Sequence, residues 1–384
     1  MRALFLALCL WPALACAQNF QTPVPHVILM DHDSGTVLFE KDADKLVSPA
    51  SLVKLMTAEI VFRALKEGQL TLDRTFIVSE NAWRKGGAPA GGSAMFARVH
   101  SQIAIADLLR GLIIMSGNDA AITLAEGMAG SEENFAQAMT QRARELGFDK
   151  MTFKNAWGKY DPEQKVTARQ LAQLASHIIR TYPDYYKYFG EREFTWNKIR
   201  QQNRNPLLFM NIGADGLKTG NVEDSGFALV GSAVENQSRM IVALVGAKTA
   251  RERAEEGRKL LSFGLRSFET RPLFAQGAQV GTASLYGGEK PRVSLLAPRP
   301  ISVLVPRGNG EALSARIVYQ GPIRAPIGQG VEIARLVVFR GKARVLETPL
   351  VTGEGIGEGN LGRKAMDAGY ELGLRLFSTY VLRK

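Results

Sequence analysis

The chain has 384 residues, 46% of them hydrophobic, which is enough for a large core and for two or three domains. Its charge is +11, from 48 basic and 37 acidic residues. The basic residues are scattered, so a nucleic-acid tract is excluded, and the positive balance suits anionic lipids or acidic wall polymers. Both cysteines, Cys9 and Cys16, lie in the first 16 residues, so disulfides, thiol catalysis and Cys-metal sites are not expected beyond them.

The N-terminal MRALFLALCLWPALACAQNF has a basic start at Arg2, an apolar run from Ala3 to Leu10, and a small-x-small site at Ala15-Cys16-Ala17. It reads as a secretory signal over residues 1–17, with the mature chain starting at Gln18. A lipidated Cys16 is the rival, and Ala13-Leu14-Ala15 fit that pattern poorly. Next, HVILMDHDSGTVLFEKDAD alternates around Asp33-Ser34-Gly35 as a β-hairpin. SPASLVKLMTAEIVFRALKEG then predicts a helix with Ser48 as N-cap, Pro49 in the first turn and Gly68 as its end. From about Leu72 to Phe189 the pattern is mostly helical. Strands return at GLKTG and in SGFALVGSAVENQSRMIVALVGA, a hairpin turning at Glu235-Asn236-Gln237, followed by the helix RERAEEGRKLLSFGLRSF. The expectation is an α/β catalytic domain over 18–270, one mainly antiparallel sheet flanked by helices and carrying a helical subdomain.

From about Pro272, short strands broken by Gly and Pro (QVGTASLYGG, RVSLLAP, ISVLVP, ARIVYQG, EIARLVVFRG, ARVLETPLV) predict a small all-β domain over 271–352. A Gly-rich linker, 353–360, leads to a C-terminal amphipathic helix, 361–384. There Met366, Tyr370, Leu374, Phe377 and Val381 share one face, and Arg363, Lys364, Asp367, Glu371 and Arg375 form a charged stripe. It carries too many charges to span a bilayer; its apolar arc suits the surface of a membrane, with packing on the protein itself as the alternative.

His26, His32, His100 and His177 are the only histidines, and none has metal-ligand spacing. A serine nucleophile would therefore need a base other than histidine. Ser51 and Lys54 are three residues apart, on one face of a helix near its start. Positive potential there, together with burial, lowers a lysine from its reference value of about 10.4 and makes it a candidate base. Alone, Ser-x-x-Lys is more often an ordinary surface pair. Ser116-Gly117-Asn118 lies in a turn between two apolar helices, where a helix cap is the plain alternative. Lys218-Thr219-Gly220 lies on a strand, where a cation, a hydroxyl and a residue admitting close backbone approach make a carboxylate-binding edge; an exposed strand end is the alternative. The trio in this order is far more specific than any member. It is the motif set of penicillin-binding proteins and class A β-lactamases, with Gly117 where that set has Asp.

On SLVK, GGSAMF, SGN, REFTWN, NRNPLL, KTG and SRMIVALVGAKTARERAEEGRKLL, followed by the β domain and the terminal helix, the chain resembles the low-molecular-mass penicillin-binding proteins of the serine D-alanyl-D-alanine carboxypeptidase type. The resemblance implies an α/β serine β-lactamase/DD-peptidase-like fold. It implies removal of the last D-alanine from peptidoglycan stem peptides through an acyl-enzyme, with β-lactam antibiotics as covalent inhibitors. It makes Ser51 the nucleophile, Lys54 its base, Ser116 a proton relay and Asn118 the holder of the substrate amide. Lys218 and Thr219 would bind the terminal carboxylate or assist the proton network. Ser51 and Val222, just after Gly220, would supply the oxyanion N–H groups. Arg253 and Arg204 match arginines facing that carboxylate. No metal or organic cofactor and no nucleic acid are implied; the implied location is the outer, periplasmic face of the cytoplasmic membrane, held by the terminal helix to phospholipid. Asn221 stands where many relatives have His, and Trp157-Gly158-Lys159 replaces a His/Thr-Gly-Leu loop; both bear on deacylation and substrate preference. A class A β-lactamase would need a Glu-x-x-Leu-Asn stretch between Gly117 and Lys218, and there is none. A crosslink-cutting DD-endopeptidase and, in another class, a silent wall-binding scaffold are the remaining alternatives.

Overall fold

The computed structural model describes residues 20–222, 226–308 and 312–369. The signal expected over 1–17 lies outside these residues, as do Tyr370, Leu374, Phe377 and Val381 of the terminal helix. The expected hairpin is β1 (His26–Asp31) and β2 (Val37–Lys41), paired antiparallel. The following segment does not start a helix at Ser48. Val47 is held extended by a bridge to Val166, Ser48 makes no capping bond, and Ala50–Leu52 form a 3-10 turn ahead of α1 (Val53–Lys66). The chain reverses at Ala50, whose φ is +50°. Gly68, at φ +71°, ends the helix as expected. Helix α1 is buried almost all round, which explains the absence of a polar face: it runs through the middle of the domain. Its Leu55, Met56 and Phe62 are fully buried, each worth roughly 1.5–3 kcal/mol of apolar burial.

The helical subdomain comprises β3 (Thr75–Ile77), α2 (Glu80–Gly86), β4 (Gln102–Ala104), α3 (Ile105–Ile113), α4 (Asn118–Ala129), α5 (Glu132–Glu145), α6 (Ala168–Thr181) and the short α7 (Pro183–Tyr186). Sequence periodicity missed β3 and β4, and also a hairpin of β5 (Glu193–Trp196) and β6 (Ile199–Gln202). That hairpin turns on Asn197 and Lys198, both at positive φ. Strands β7 (Ala214–Val222), β8 (Gly226–Glu235) and β9 (Ser238–Ala247) complete an antiparallel sheet of order β2-β1-β9-β8-β7. Strand alternation divides the core between its faces. Ile28, Met30, Val230, Ile241 and Ala243 join α1 and the subdomain. Val27, Leu29, Leu229, Val242 and Leu244 join Leu260 and Leu261 of α8 (Ala250–Ser267) on the other face.

Helix α8 passes directly into β10 (Phe268–Phe274), which pairs with β13 (Ile301–Pro306). The remaining strands are β11 (Gln279–Tyr286), β12 (Arg292–Leu296), β14 (Leu313–Tyr319), β15 (Ile323–Arg324), β16 (Glu332–Arg340) and β17 (Ala343–Thr352); they form a second sheet with its own core. This all-β region meets the catalytic sheet at the β1–β2 end: Leu304 N–H donates to Thr36 Oγ1 at 3.2 Å. The described start of the terminal segment, residues 361–369, is helical. No helix among the described residues is long and apolar enough to cross a membrane.

Candidate active site

The free edge of β7 faces the turn that carries Ser51. Gly220 permits the approach: a Cβ there would lie 3.1 Å from the Ala50 Cβ and 3.3 Å from the Pro49 carbonyl oxygen. Three side-chain groups from separate parts of the chain converge in this cleft. From the start of α1, Lys54 Nζ donates to Ser51 Oγ at 3.0 Å, to Asn118 Oδ1 at 2.8 Å and to the Trp157 carbonyl at 2.7 Å. From β7, Lys218 Nζ donates to Ser116 Oγ at 2.8 Å and to the Thr219 carbonyl at 3.2 Å. From the α3–α4 turn, Ser116 supplies the bridge, at φ +57°, a conformation that costs a serine about 1 kcal/mol or more and is common where geometry serves a site.

Electrostatics follow from this packing. Lys54 is 1% exposed. Burial, and then the charge of Lys218, push its ammonium well below the ordinary value, against the opposing carboxylate of Asp119. Lys218 is 2% exposed and is pushed down to about 7 by burial and by the charges of Arg204 and Arg253. The two arginines thus flank the end of the cleft where Lys218 lies. Arg253, on α8, is itself lowered by burial; its guanidinium lies over the Phe227 ring at 5.7 Å, and its buried Nε has no partner among the described residues. Arg204 is exposed and donates to Gln201 Oε1 at 3.1 Å. Thr219 is beside Lys218 on β7, and Val222 ends the strand, paired with Gly226.

Residues outside the three motifs hold this geometry. Asp119, fully buried at the start of α4, accepts from the N–H groups of Met95, Ala97 and Ala120 at 2.9, 3.0 and 2.9 Å, tying the cleft wall to the Ser116 turn. Gly117 has no room for the Asp of the wider motif set: its Cβ would sit 2.8 Å from Asp119 Oδ1 and 3.0 Å from the Met95 nitrogen. The loop bearing the Trp157 carbonyl is wound on Asn155, whose Oδ1 accepts from the N–H groups of Trp157, Gly158 and Lys159 at 3.3, 2.7 and 3.0 Å. Gly158, at φ +97°, packs so closely on the nucleophile turn that a Cβ would lie 2.1 Å from the Ala50 carbonyl oxygen. Sequence reading flagged Trp157-Gly158-Lys159 as a departure and missed that its backbone carbonyl is an acceptor for Lys54; the signal available was an asparagine three residues before a glycine, a common loop-winding arrangement. Among the described residues no cluster of three or more His, Asp or Glu is placed to hold a metal ion.

Known proteins are similar to this chain over nearly its whole length. Residues 15–249 match the D-alanyl-D-alanine carboxypeptidase family, and residues 268–358 match the penicillin-binding protein 5 C-terminal domain. The D-alanyl-D-alanine carboxypeptidase DacC of Escherichia coli (strain K12) is 38% identical over 369 residues, covering 94% of this chain and 92% of its own. The crystal structure of penicillin-binding protein 5 from Haemophilus influenzae superposes with a TM-score of 0.74 at 34% identity, over 88% of this chain and 98% of its own. The ampicillin-bound penicillin-binding protein D2 of Listeria monocytogenes has a TM-score of 0.56 at 29% identity, over 65% of this chain and 99% of its own. The chain therefore belongs to the D-alanyl-D-alanine carboxypeptidase family of serine peptidases, in the form that carries a penicillin-binding protein 5 type C-terminal domain.

Proposed function

We propose that Ser51 is the nucleophile of this D-alanyl-D-alanine carboxypeptidase and that Lys54 is its base. The observation that carries the reading is the buried Lys54 amine, 3.0 Å from Ser51 Oγ, whose charged form is disfavoured by burial and by the charge of Lys218. The hydroxyl proton passes to Lys54 as Oγ attacks the carbonyl carbon of the penultimate D-alanine. The resulting oxyanion is held by backbone N–H groups. One is that of Ser51. For the other, strand geometry favours Asn221 over Val222. The Thr219 carbonyl accepts from Lys218 inside the cleft. In a strand, the N–H two residues on points the same way, and the N–H of Val222 points toward β8.

Collapse of the intermediate breaks the amide bond; Lys54 gives up the proton it took, and Ser116, bonded to Lys218, relays it to the leaving amine of D-alanine. Water then attacks the ester carbonyl and gives a proton to the regenerated Lys54, which returns it to Ser51 Oγ as the ester C–O bond breaks and the shortened peptide leaves. Lys218, Thr219, Arg253 and Arg204 receive the terminal carboxylate. Because Asn118 Oδ1 is engaged by Lys54, its NH₂ group is the end presented to the substrate amide. β-Lactams acylate the same serine, in keeping with the ampicillin-bound D2 relative.

Export rests on the residue 1–17 pattern, and peripheral attachment to the membrane rests on the apolar face of 361–384. The all-β region has an apolar core of its own, but that core reaches past the expected 352/353 boundary to Ile356, which is bridged to Ile327, and the expected 270/271 boundary falls inside β10. The test of catalysis is D-alanine release from a peptide ending in Lys-D-Ala-D-Ala, with mapping of the penicillin adduct. Release by the mature protein, lost in Ser51→Ala, with the adduct on Ser51, is expected. An adduct on another residue, or undiminished release by the variant, would sink the assignment.

A further inference from the structure

At the Val222 end of β7 the catalytic cleft adjoins a second, polar cleft of about 650 Å³, lined by Leu46, Ser48, Tyr160, Lys165, Gly226 and Lys248 among others. Three features place it beside the site. Ser48 is three residues ahead of Ser51. Gly226 is the strand partner of Val222, the last residue of β7. Tyr160 follows the Trp157–Lys159 loop that touches both Lys54 and the Ala50 carbonyl.

Its lining is unusual for a surface without a ligand. Tyr160 and Leu46, 53% and 50% exposed, line the same cleft as Lys165 and Lys248. No ion pair of the Lys165 or Lys248 ammonium group is found among the described residues, which leaves both cations available to an anion in the cleft. His26 also lines the cleft, and its Nδ1 has no hydrogen-bond partner among the described residues.

The direction of the substrate follows from the charges. Its terminal carboxylate belongs at the Lys218 end, beside Arg204 and Arg253. A peptide laid antiparallel along the free edge of β7 therefore runs its N-terminal part toward Val222 and out over this cleft. The upstream stem of a peptidoglycan peptide carries free carboxylates, because its glutamate is joined through the side chain. We propose that the Lys165–Lys248 cleft is a subsite for the carboxylate-bearing stem upstream of the scissile bond, with Tyr160 and Leu46 packing on its apolar part. This rests on the carboxypeptidase reading above and deepens it, since it makes the enzyme select long anionic stems over short neutral peptides.

The experiment compares kcat/KM on a short Nα-blocked Lys-D-Ala-D-Ala peptide and on a full stem pentapeptide, for the mature protein and for the Lys165→Gln/Lys248→Gln double variant. The pentapeptide is also made with its glutamate carboxylate amidated. The expected result is a loss of about tenfold on the pentapeptide in the double variant, as for removal of a charge-assisted hydrogen bond. The short peptide and the rate of penicillin acylation stay unchanged, and amidation reproduces the loss on the unaltered protein. An equal loss on both peptides, no loss on either, or an amidated stem cut as fast as the free one overturns the subsite. D-alanine release from neither peptide by the unaltered protein overturns the carboxypeptidase reading and the subsite with it, whereas normal release with no stem preference overturns the subsite alone.

Discussion

Lys54 and Lys218 sit in one cleft, and each is charged only at a cost. The two amines share no hydrogen-bond acceptor: one serves Ser51, Asn118 and a backbone carbonyl, the other Ser116 and the strand. Their proposed tasks need opposite protonation states, and burial weakens the charged form of both. Lys54 is pushed well below its ordinary value, so its neutral, basic form grows as pH rises through that lowered value. Lys218, at about 7, holds its charge below that pH and loses it above. The expected profile of kcat/KM, which reports the free enzyme, rises from acid pH and then bends down above about pH 7 for a substrate with a free terminal carboxylate. With the terminal carboxylate amidated the alkaline limb should vanish, because there is no anion for Lys218 to hold. An alkaline limb identical for both substrates would remove Lys218 from carboxylate recognition.

At the scale of elements, the nucleophile is held less by its helix than by what leans on it. Ser51 lies in a 3-10 turn in front of α1, pressed by β7 through Gly220 on one side and by the Asn155-wound loop through Gly158 on the other. Asn155→Ala removes the acceptor of three N–H groups and leaves the Trp157 carbonyl on a loosened loop. Such a change costs roughly 1–3 kcal/mol in buried surroundings, and a displacement of an ångström at reacting groups slows a step by about a hundredfold. Penicillin acylation of Asn155→Ala should fall by about tenfold to a hundredfold while the protein still melts cooperatively. Gly158→Ala should be worse on both counts, since its Cβ would occupy the position of the Ala50 carbonyl oxygen. Normal acylation by either variant would show that this loop does not position the site.

At the scale of the molecule, the catalytic cleft and the all-β region lie toward opposite edges of the catalytic sheet. The cleft opens at the β7 edge of a sheet whose order is β2-β1-β9-β8-β7. The all-β region is fastened at the other end, through Thr36 and Leu304 and through Phe268 and Leu304 in the outer-face core. The described part of the terminal helix is fastened to the all-β region, where Asp367 Oδ2 accepts from the Gly287 N–H at 2.9 Å. A membrane-lying tail would then leave the cleft facing away from the lipid, toward the wall. Deleting residues 361–384 should release the protein from vesicles of anionic phospholipid and leave D-alanine release from a soluble peptide unchanged. A truncated protein that still sediments with vesicles would end the anchoring role of the tail.

How far the sequence carries this protein follows from the range of the forces involved. Ser51–Lys54, Ser116–Asn118 and Lys218–Gly220 are local patterns, and their order along the chain sufficed to group them. The sheet strands and the two regions were also legible, because alternation of apolar residues and a change in Gly and Pro usage are written within a few residues of one another. Short pieces without such periodicity, β3, β4 and the β5–β6 hairpin, were not. The start of α1 was misread because a long-range bridge from Val47 to Val166, not the capping preference of Ser48, sets where the helix begins. Only the tertiary structure decided the chemistry of the two lysines. Their shifts depend on burial and on charges from Asp119, Arg204 and Arg253, which belong to other elements of the fold and act through space. The same holds for the Trp157 carbonyl, a backbone atom with no side-chain signature, that becomes a partner of Lys54 because Asn155 and Gly158 fold it into the cleft.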